Sequence, residues 1–209
     1  MVDRRVRAAA PKRRATPRQQ RGVEMRIGLL SGTVELLERH PGRRPSTQAL
    51  ADHAHVSIGT VYRYFSDIDA VIDELRRAAI SDITTELAVG VGKAMDKDPM
   101  TAMVTVVETL TSAFEKHAPV LRASFVSDEA EFGDAWRDVE GPVLPLARIL
   151  PGRLRPDLDA AELDDLVFLT MGATASLCLR IALLRPDTAD RQVLITTAAR
   201  MLLAAFDRD

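Results

Sequence analysis

The sequence predicts an all-α protein of about nine helices, with a small three-helix unit in front of a larger helical body. Three observations lead there. Large apolar residues recur at spacings of three and four along most of the 209-residue chain, the period of an amphipathic helix. No stretch of useful length alternates apolar and polar residues as a half-buried strand would, and no internal repeat is present. Capping residues precede most of the periodic segments, and proline or glycine follows several of them.

Residues 1–15 hold Arg4, Arg5, Arg7, Lys12, Arg13 and Arg14 and almost no large apolar side chain. Such a segment buries too little surface to offset chain entropy, so it is expected to be a disordered basic arm. The first helix is expected from Thr16 as cap, Pro17 in the first turn and Gln19 completing a capping box. Its inner face is read as Val23, Ile27, Leu30, Val34 and Leu37, and His40-Pro41-Gly42 ends it. A short second helix begins at Ser46 and turns Leu50 inward. His53-Ala54-His55-Val56 makes a tight turn. Ser57 caps a third helix carrying Val61, Tyr62 and Phe65, and Ser66-Asp67 opens a fourth, which connects to the body over 67–89.

Beyond Gly90 and Gly92 the helical pattern continues. Asp98-Pro99 starts a helix to about His117, and Pro119 starts a shorter one. Residues 129–150 form another helix with a kink at Gly141-Pro142. Asp159 with Glu162 makes a second capping box, opening a helix to about Leu184. After the break at Arg185-Pro186-Asp187, residues 188–206 form the last.

Composition limits the class. Apolar residues make up 46% and charged residues 28%, as in a globular protein. No apolar run approaches the roughly 20 residues that a membrane-spanning helix needs, and the basic N-terminus has no apolar stretch after it, so no signal peptide is expected. Cys178 is the only cysteine, which excludes an internal disulfide and suits a reducing cytoplasm. The net charge of −2 is strongly polarised. Residues 1–66 carry 13 Lys/Arg against 5 Asp/Glu, and the remainder carries 15 against 25. A basic front on an acidic body suits a chain that meets a polyanion at one end only.

The three-helix unit, residues 16–66, has the arrangement of a helix-turn-helix. With Leu50, Ala51, Val56, Val61 and Phe65 turned inward, the third helix keeps Ser57, Gly59, Thr60, Tyr62, Arg63 and Tyr64 at its start or outer side. Hydroxyls and a guanidinium on such a helix can reach base edges in the major groove of double-stranded DNA, and Gly59 lets the backbone approach the sugar-phosphate wall. Ser46, Thr47 and Gln48 at the start of the second helix suit a phosphate contact.

The stretch Arg21–Leu75 resembles the DNA-binding domain of the TetR family of regulators. Pro45-Ser46-Thr47-Gln48-Ala49-Leu50-Ala51, Val56 through Phe65, and Ala70-Val71 carry the resemblance. It implies a homodimer on a palindromic operator, a repressor released when a small molecule binds the C-terminal domain (67–209), and DNA contacts at Thr47, Gln48, Ser57, Thr60, Tyr62, Arg63 and Tyr64. Two departures stand out. His55 occupies the turn where the family often has glycine, and must adopt a strained or left-handed conformation. Ile68 and Asp69 stand where a lysine commonly opens the fourth helix and touches a phosphate, so the basic arm is expected to supply the missing neutralisation.

In the body, two segments are apolar nearly all round, Leu166–Leu184 and Val193–Phe206. Each needs cover on both sides. Leu177, Ile181, Leu184, Leu194, Met201 and Leu202 are the candidates for a face shared with a second subunit. Met103, Phe114, Phe125, Phe132, Trp136, Phe168 and Met171 are candidates for lining an effector pocket. Few aromatics and no basic cluster there favour an apolar or weakly cationic effector over a multiply charged anion.

Other signals point away from catalysis and metals. Gly90-Val91-Gly92-Lys93 has part of a phosphate-loop pattern but lacks its spacing and a preceding strand. His53 and His55 lie on different faces and have no cysteines nearby, so no metal site is expected. Asp157, Asp159, Glu162, Asp164 and Asp165 favour a helix start through its dipole. No nucleophile-elbow sequence occurs and no cofactor is implied. An architectural, non-specific DNA binder is the alternative, and an all-α enzyme a more remote one.

Overall fold

The computed structural model describes residues 17–124 and 141–207. Residues 1–16, with the basic arm and the Thr16 cap, lie outside them, as do Phe125, Phe132 and Trp136. Nine helices are present among the described residues: α1 (Pro17–Arg39), α2 (Thr47–His53), α3 (Ile58–Tyr62), α4 (Ile68–Ala94), α5 (Pro99–Lys116), α6 (Ala118–Ser124), α7 (Ile149–Leu154), α8 (Ala160–Leu184) and α9 (Arg191–Ala204). Residues 141–147 are also helical, and the described residues contain no strand.

The caps sit where the sequence puts them. Ser46 accepts from the Ala49 amide, Ser57 from Thr60, Asp67 from Ala70 and Asp98 from Thr101. These contacts, together with side-chain hydrogen bonds to Ser66 and Thr101, hold the Asp67 and Asp98 carboxyls below the ordinary range, as hydrogen bonds to a carboxylate do. Asp159 and Glu162 form a complete capping box. The last helix starts later than expected, at Arg191, because Asp190 supplies its cap to Val193.

Helices α1, α2, α3 and the start of α4 enclose a small core of Leu29, Leu50, Ala51, Val61, Phe65 and Val71. The expected inner face of α1 is corrected by this packing. Its buried line is Leu29, Thr33 and Leu37, whereas Val23 and Ile27 are 58% and 56% exposed. Size of the apolar residues suggested one stripe, but the face of α1 that meets its neighbours is the one carrying Arg26, Leu29, Thr33 and Leu37, and Val23 and Ile27 are rotated off it. There Gly32 lets α2 approach, since a Cβ would lie 3.2 Å from the His53 ring. Thr33 tolerates burial because its hydroxyl donates to the Leu29 carbonyl at 2.9 Å.

Helix α4 joins this head to the body. It runs past Gly90 and Gly92 to Ala94 rather than ending near residue 89. Gly90 marks its crossing with α5, because a Cβ there would fall 2.7 Å from Thr109 Cγ2. A glycine inside a helix lowers its stability, and close packing of the two helices is what this one permits. The body core draws Ile83, Leu87 and Val91 from α4, Met103, Val107, Leu110 and Phe114 from α5, Cys178 and Ile181 from α8, and Ile195 and Leu202 from α9. Burial pushes the Cys178 thiol up to about 12, so it behaves as a core side chain. Arg191 ties α9 to α5 through Glu108 (2.5 Å) and Glu115 (2.9 Å).

Helix α8 needs a correction of its own. By length and composition it is apolar enough to cross a membrane, although no continuous apolar run suggested this. Thr170, Gly172, Thr174 and Ser176 interrupt the run, yet no charged residue lies between Asp165 and Arg180. Only 22% of that apolar window is buried within the chain.

Candidate nucleic-acid interface

The head presents α3 outward from a closed core. Val61 is fully buried beneath it and Phe65 nearly so. The turn before it depends on His55, whose φ of 53° is the left-handed conformation anticipated from its place in a glycine position. Helix α3 is shorter than the sequence suggests. It ends at Tyr62, and Arg63 caps it in the right-handed region. Tyr64 and Phe65 follow in a turn closed by their amides on the Val61 carbonyl, at 2.9 and 3.0 Å.

Along the outer side, Ser57, Gly59, Tyr62 and Arg63 are exposed and Thr60 is half-exposed. The Ser57 and Thr60 hydroxyls lie 2.9 Å apart, so one proton serves that pair and the other remains for a ligand. Tyr62, 53% exposed, has no part in the head core. Tyr64 differs from the expectation of a plain contact residue: it is half-buried against that core. Arg63 rests over the Tyr64 ring, 5.1 Å from its centroid, and donates to its hydroxyl at 3.4 Å. On α2, Ser46 and Gln48 are exposed and Thr47 half-exposed. The Gln48 amide donates to Asp52 at 2.7 Å.

Sequence reasoning missed the side chains behind this surface. Arg26 on α1 pairs through two nitrogens with Glu74 on α4, at 3.0 Å for Nε. It also donates to the Tyr64 carbonyl at 3.0 Å and lies 4.4 Å from the Phe65 ring centroid. Arg44 donates to the Ala123 carbonyl at the end of α6 (3.0 Å) and to Asp69 (2.8 Å). Asp69 therefore faces an arginine of its own chain, while Ile68 packs on the head core. Partners 25 and 48 residues apart leave no local spacing by which they could be found.

Residues 29–75 match the family model described as bacterial regulatory proteins, tetR family. Over those residues the head is similar to the N-terminal domain of TetR-family regulators. The TetR-type fold extends over the body as well. The fatty acid degradation regulator FadR from Bacillus halodurans is 13% identical, with a TM-score of 0.64 over 91% of this chain and 97% of that one. The transcriptional regulator FadR from Bacillus subtilis, in complex with stearoyl-CoA, is 11% identical, with a TM-score of 0.64 over 86% and 98%. FadR from Thermus thermophilus, a TetR family transcriptional repressor in complex with lauroyl-CoA, is 17% identical, with a TM-score of 0.58 over 85% and 93%. Comparison with curated protein sequences gives no match.

Behind the TetR-type head, the body holds a partly open cavity of about 90 Å³. Leu87, Val91, Met103, Leu146, Met171 and Phe206 are among its walls. Two of the expected lining residues, Met103 and Met171, are there. Phe114 is buried in the body core away from it, and Phe168 is 69% exposed on the outside of α8. Both are corrections, caused by the rotation of α5 and α8 about their axes, which helical spacing alone does not fix. Thr170 and Thr174 also line the cavity, but their hydroxyls donate to the Leu166 and Thr170 carbonyls at 2.7 and 2.6 Å. Arg148, Arg153 and Arg155, near the lining residues Ala147, Leu150 and Pro151 in sequence, are engaged too: Arg148 with Asp164, Arg153 with the Ala94 and Lys97 carbonyls, Arg155 with Asp157.

The outer face of α8 and α9 carries Phe168, Leu169, Leu184, Val193 and Met201, each more than 60% exposed or at 60%. Leu184 and Met201 were expected on a shared face; Phe168, Leu169 and Val193 were not. Ile181 and Leu202 are corrected, since both are covered inside their own chain, and Leu202 lines the cavity. Leu177 and Leu194 pack half-buried against the same core.

Proposed function

We propose that the chain is a sequence-specific DNA-binding transcriptional regulator of the TetR type, acting as a homodimeric repressor in the cytoplasm. The observation that carries this reading is the exposure of Ser57, Thr60, Tyr62 and Arg63 along a short helix set on a closed three-helix core. Accessible hydroxyls with a guanidinium match base edges and phosphates. The apolar outer face of α8 and α9 is the surface proposed for the second subunit, which would place two reading heads on a palindrome.

The cavity is the proposed effector site. Its walls are apolar, and its threonine hydroxyls have their protons committed within the helix. At about 90 Å³ the space is smaller than the roughly 150 Å³ cavity that holds benzene, so with some movement of its walls it suits a compact uncharged hydrophobe better than a long acyl chain. Acyl-CoA, the ligand named for two of the FadR structures, also carries phosphates, and Arg148, Arg153 and Arg155 among the described residues already have partners. Adding small aromatic or cyclic hydrocarbons is expected to release the protein from its DNA, as read by fluorescence anisotropy. Release by lauroyl-CoA with no response to any compact hydrophobe would overturn this assignment.

The basic arm is proposed to neutralise phosphates in place of the missing lysine at Ile68 and Asp69. Deleting residues 1–15 is expected to flatten the dependence of log K on log salt by about 0.9 for each cation that met a phosphate. With six cations in the arm, the change reaches about 5 per subunit if all are engaged. An unchanged slope would show that the arm takes no part.

A further inference from the structure

We propose that Arg26 is a positioning residue for DNA reading: bracketed by Glu74, it fixes the turn that follows α3 and so aims Arg63. This rests on the reading of the head as a DNA-binding surface. The bracket makes three contacts at once. Arg26 pairs with both Glu74 oxygens, donates to the Tyr64 carbonyl at 3.0 Å and covers the Phe65 ring at 4.4 Å. It thereby joins α1, the turn after α3 and the first turns of α4. Its side chain is 42% exposed and that of Glu74 28%, so as an ion pair it is screened and adds little to folding. Its geometry has a sharper effect than its charge, because a planar fork fixes direction as an ammonium cannot.

That direction reaches the reading surface through Tyr64. The peptide that Arg26 holds carries the ring on which Arg63 rests, 5.1 Å from the centroid. The Tyr64 hydroxyl is met by Arg63 on one side and stands close to Gly22 of α1 on the other, about 4.0 Å from where a Cβ would be. The Tyr64 ring is thus a platform, set from behind by Arg26 and loaded in front with Arg63. A guanidinium must reach a base within about 0.5 Å and 10–20° of its productive geometry. Leaving the Tyr64 peptide unheld gives that tolerance away while all of the phosphate contacts remain.

The test uses the full chain and the duplex that the wild-type protein retains from a random pool, with a scrambled duplex of equal length beside it. Arg26→Lys, Arg26→Met and Glu74→Gln are compared with wild type by anisotropy at several salt concentrations, with thermal unfolding as a control. Arg26→Lys and Glu74→Gln are expected to weaken binding to the selected duplex about tenfold, the size of one lost base contact. Binding to the scrambled duplex and the salt slope are expected to stay as they were, so the selectivity ratio falls. A purely structural role would lower both affinities together and leave the ratio intact. In an Arg63→Gln background, Arg26→Lys is expected to cost less than twofold, since there is no longer a guanidinium to aim. An unchanged ratio in Arg26→Lys and Glu74→Gln overturns the proposal, and so does an equal loss with and without Arg63. A wild-type chain that prefers no duplex overturns the DNA-reading role and this proposal together.

Discussion

Replacing Phe168 and Met201 together by glutamate is expected to produce a monomer that loses at least about a hundredfold in affinity for its selected DNA. Both side chains stand on the outer face of α8 and α9, 69% and 60% exposed, in the company of Leu169, Leu184 and Val193. Burying a large apolar side chain contributes about 1.5–3 kcal/mol, so a face supplying five from each subunit holds a dimer together. A carboxylate placed in the middle of it is desolvated without a partner, which costs several kcal/mol per ion. Freed of its second head, each subunit binds a half-site without the high local concentration that the first contact provides. Light scattering checks the mass and anisotropy the affinity. A variant that remains dimeric, or a wild type that is already monomeric, contradicts the proposed interface.

Leu50→Ala is expected to destabilise the head by about 2–5 kcal/mol, the range for truncating a fully buried leucine. Leu50 is wholly inaccessible, in a core whose other buried members among the described residues are Leu29, Ala51, Val61, Phe65 and Val71. So small a cluster has little surface with which to refill a cavity. The body draws on a separate and larger core, so the loss is expected to stay local. Hydrogen exchange is expected to quicken in α1 to α3 while α5 and α8 keep their protection, and DNA binding is expected to fall with the folded fraction of the head. Uniform quickening over both cores would contradict that separation.

Local chemistry made much of this fold legible. A capping contact reaches three residues along the chain, so Ser46, Ser57, Asp67, Asp98 and the Asp159–Glu162 box could be placed from spacing alone. His55 stood out because a left-handed turn favours glycine, and its φ is 53°. Rotation about a helix axis is a different matter. Val23 and Ile27 look like core by size and spacing, yet α1 turns the face with Arg26, Leu29 and Thr33 to its neighbours instead; Phe168 and Ile181 exchange their expected environments for the same reason. The Arg26–Glu74 bracket lies further still from sequence reasoning, because its members meet only once α1, α3 and α4 have packed. The candidate surface was legible as a set of residues, and the side chains that aim it were not.

Competition between the selected duplex and random DNA, at one fixed salt concentration, tests the central claim most directly. A sequence-reading dimer is expected to show a preference of about a thousandfold or more, for a palindrome whose half-sites lie about one helical turn, or a multiple of it, apart. Comparable affinity for both, with the same salt slope, would make the head a non-specific binder of phosphates and contradict the reading of Ser57–Phe65 as the segment that recognises sequence.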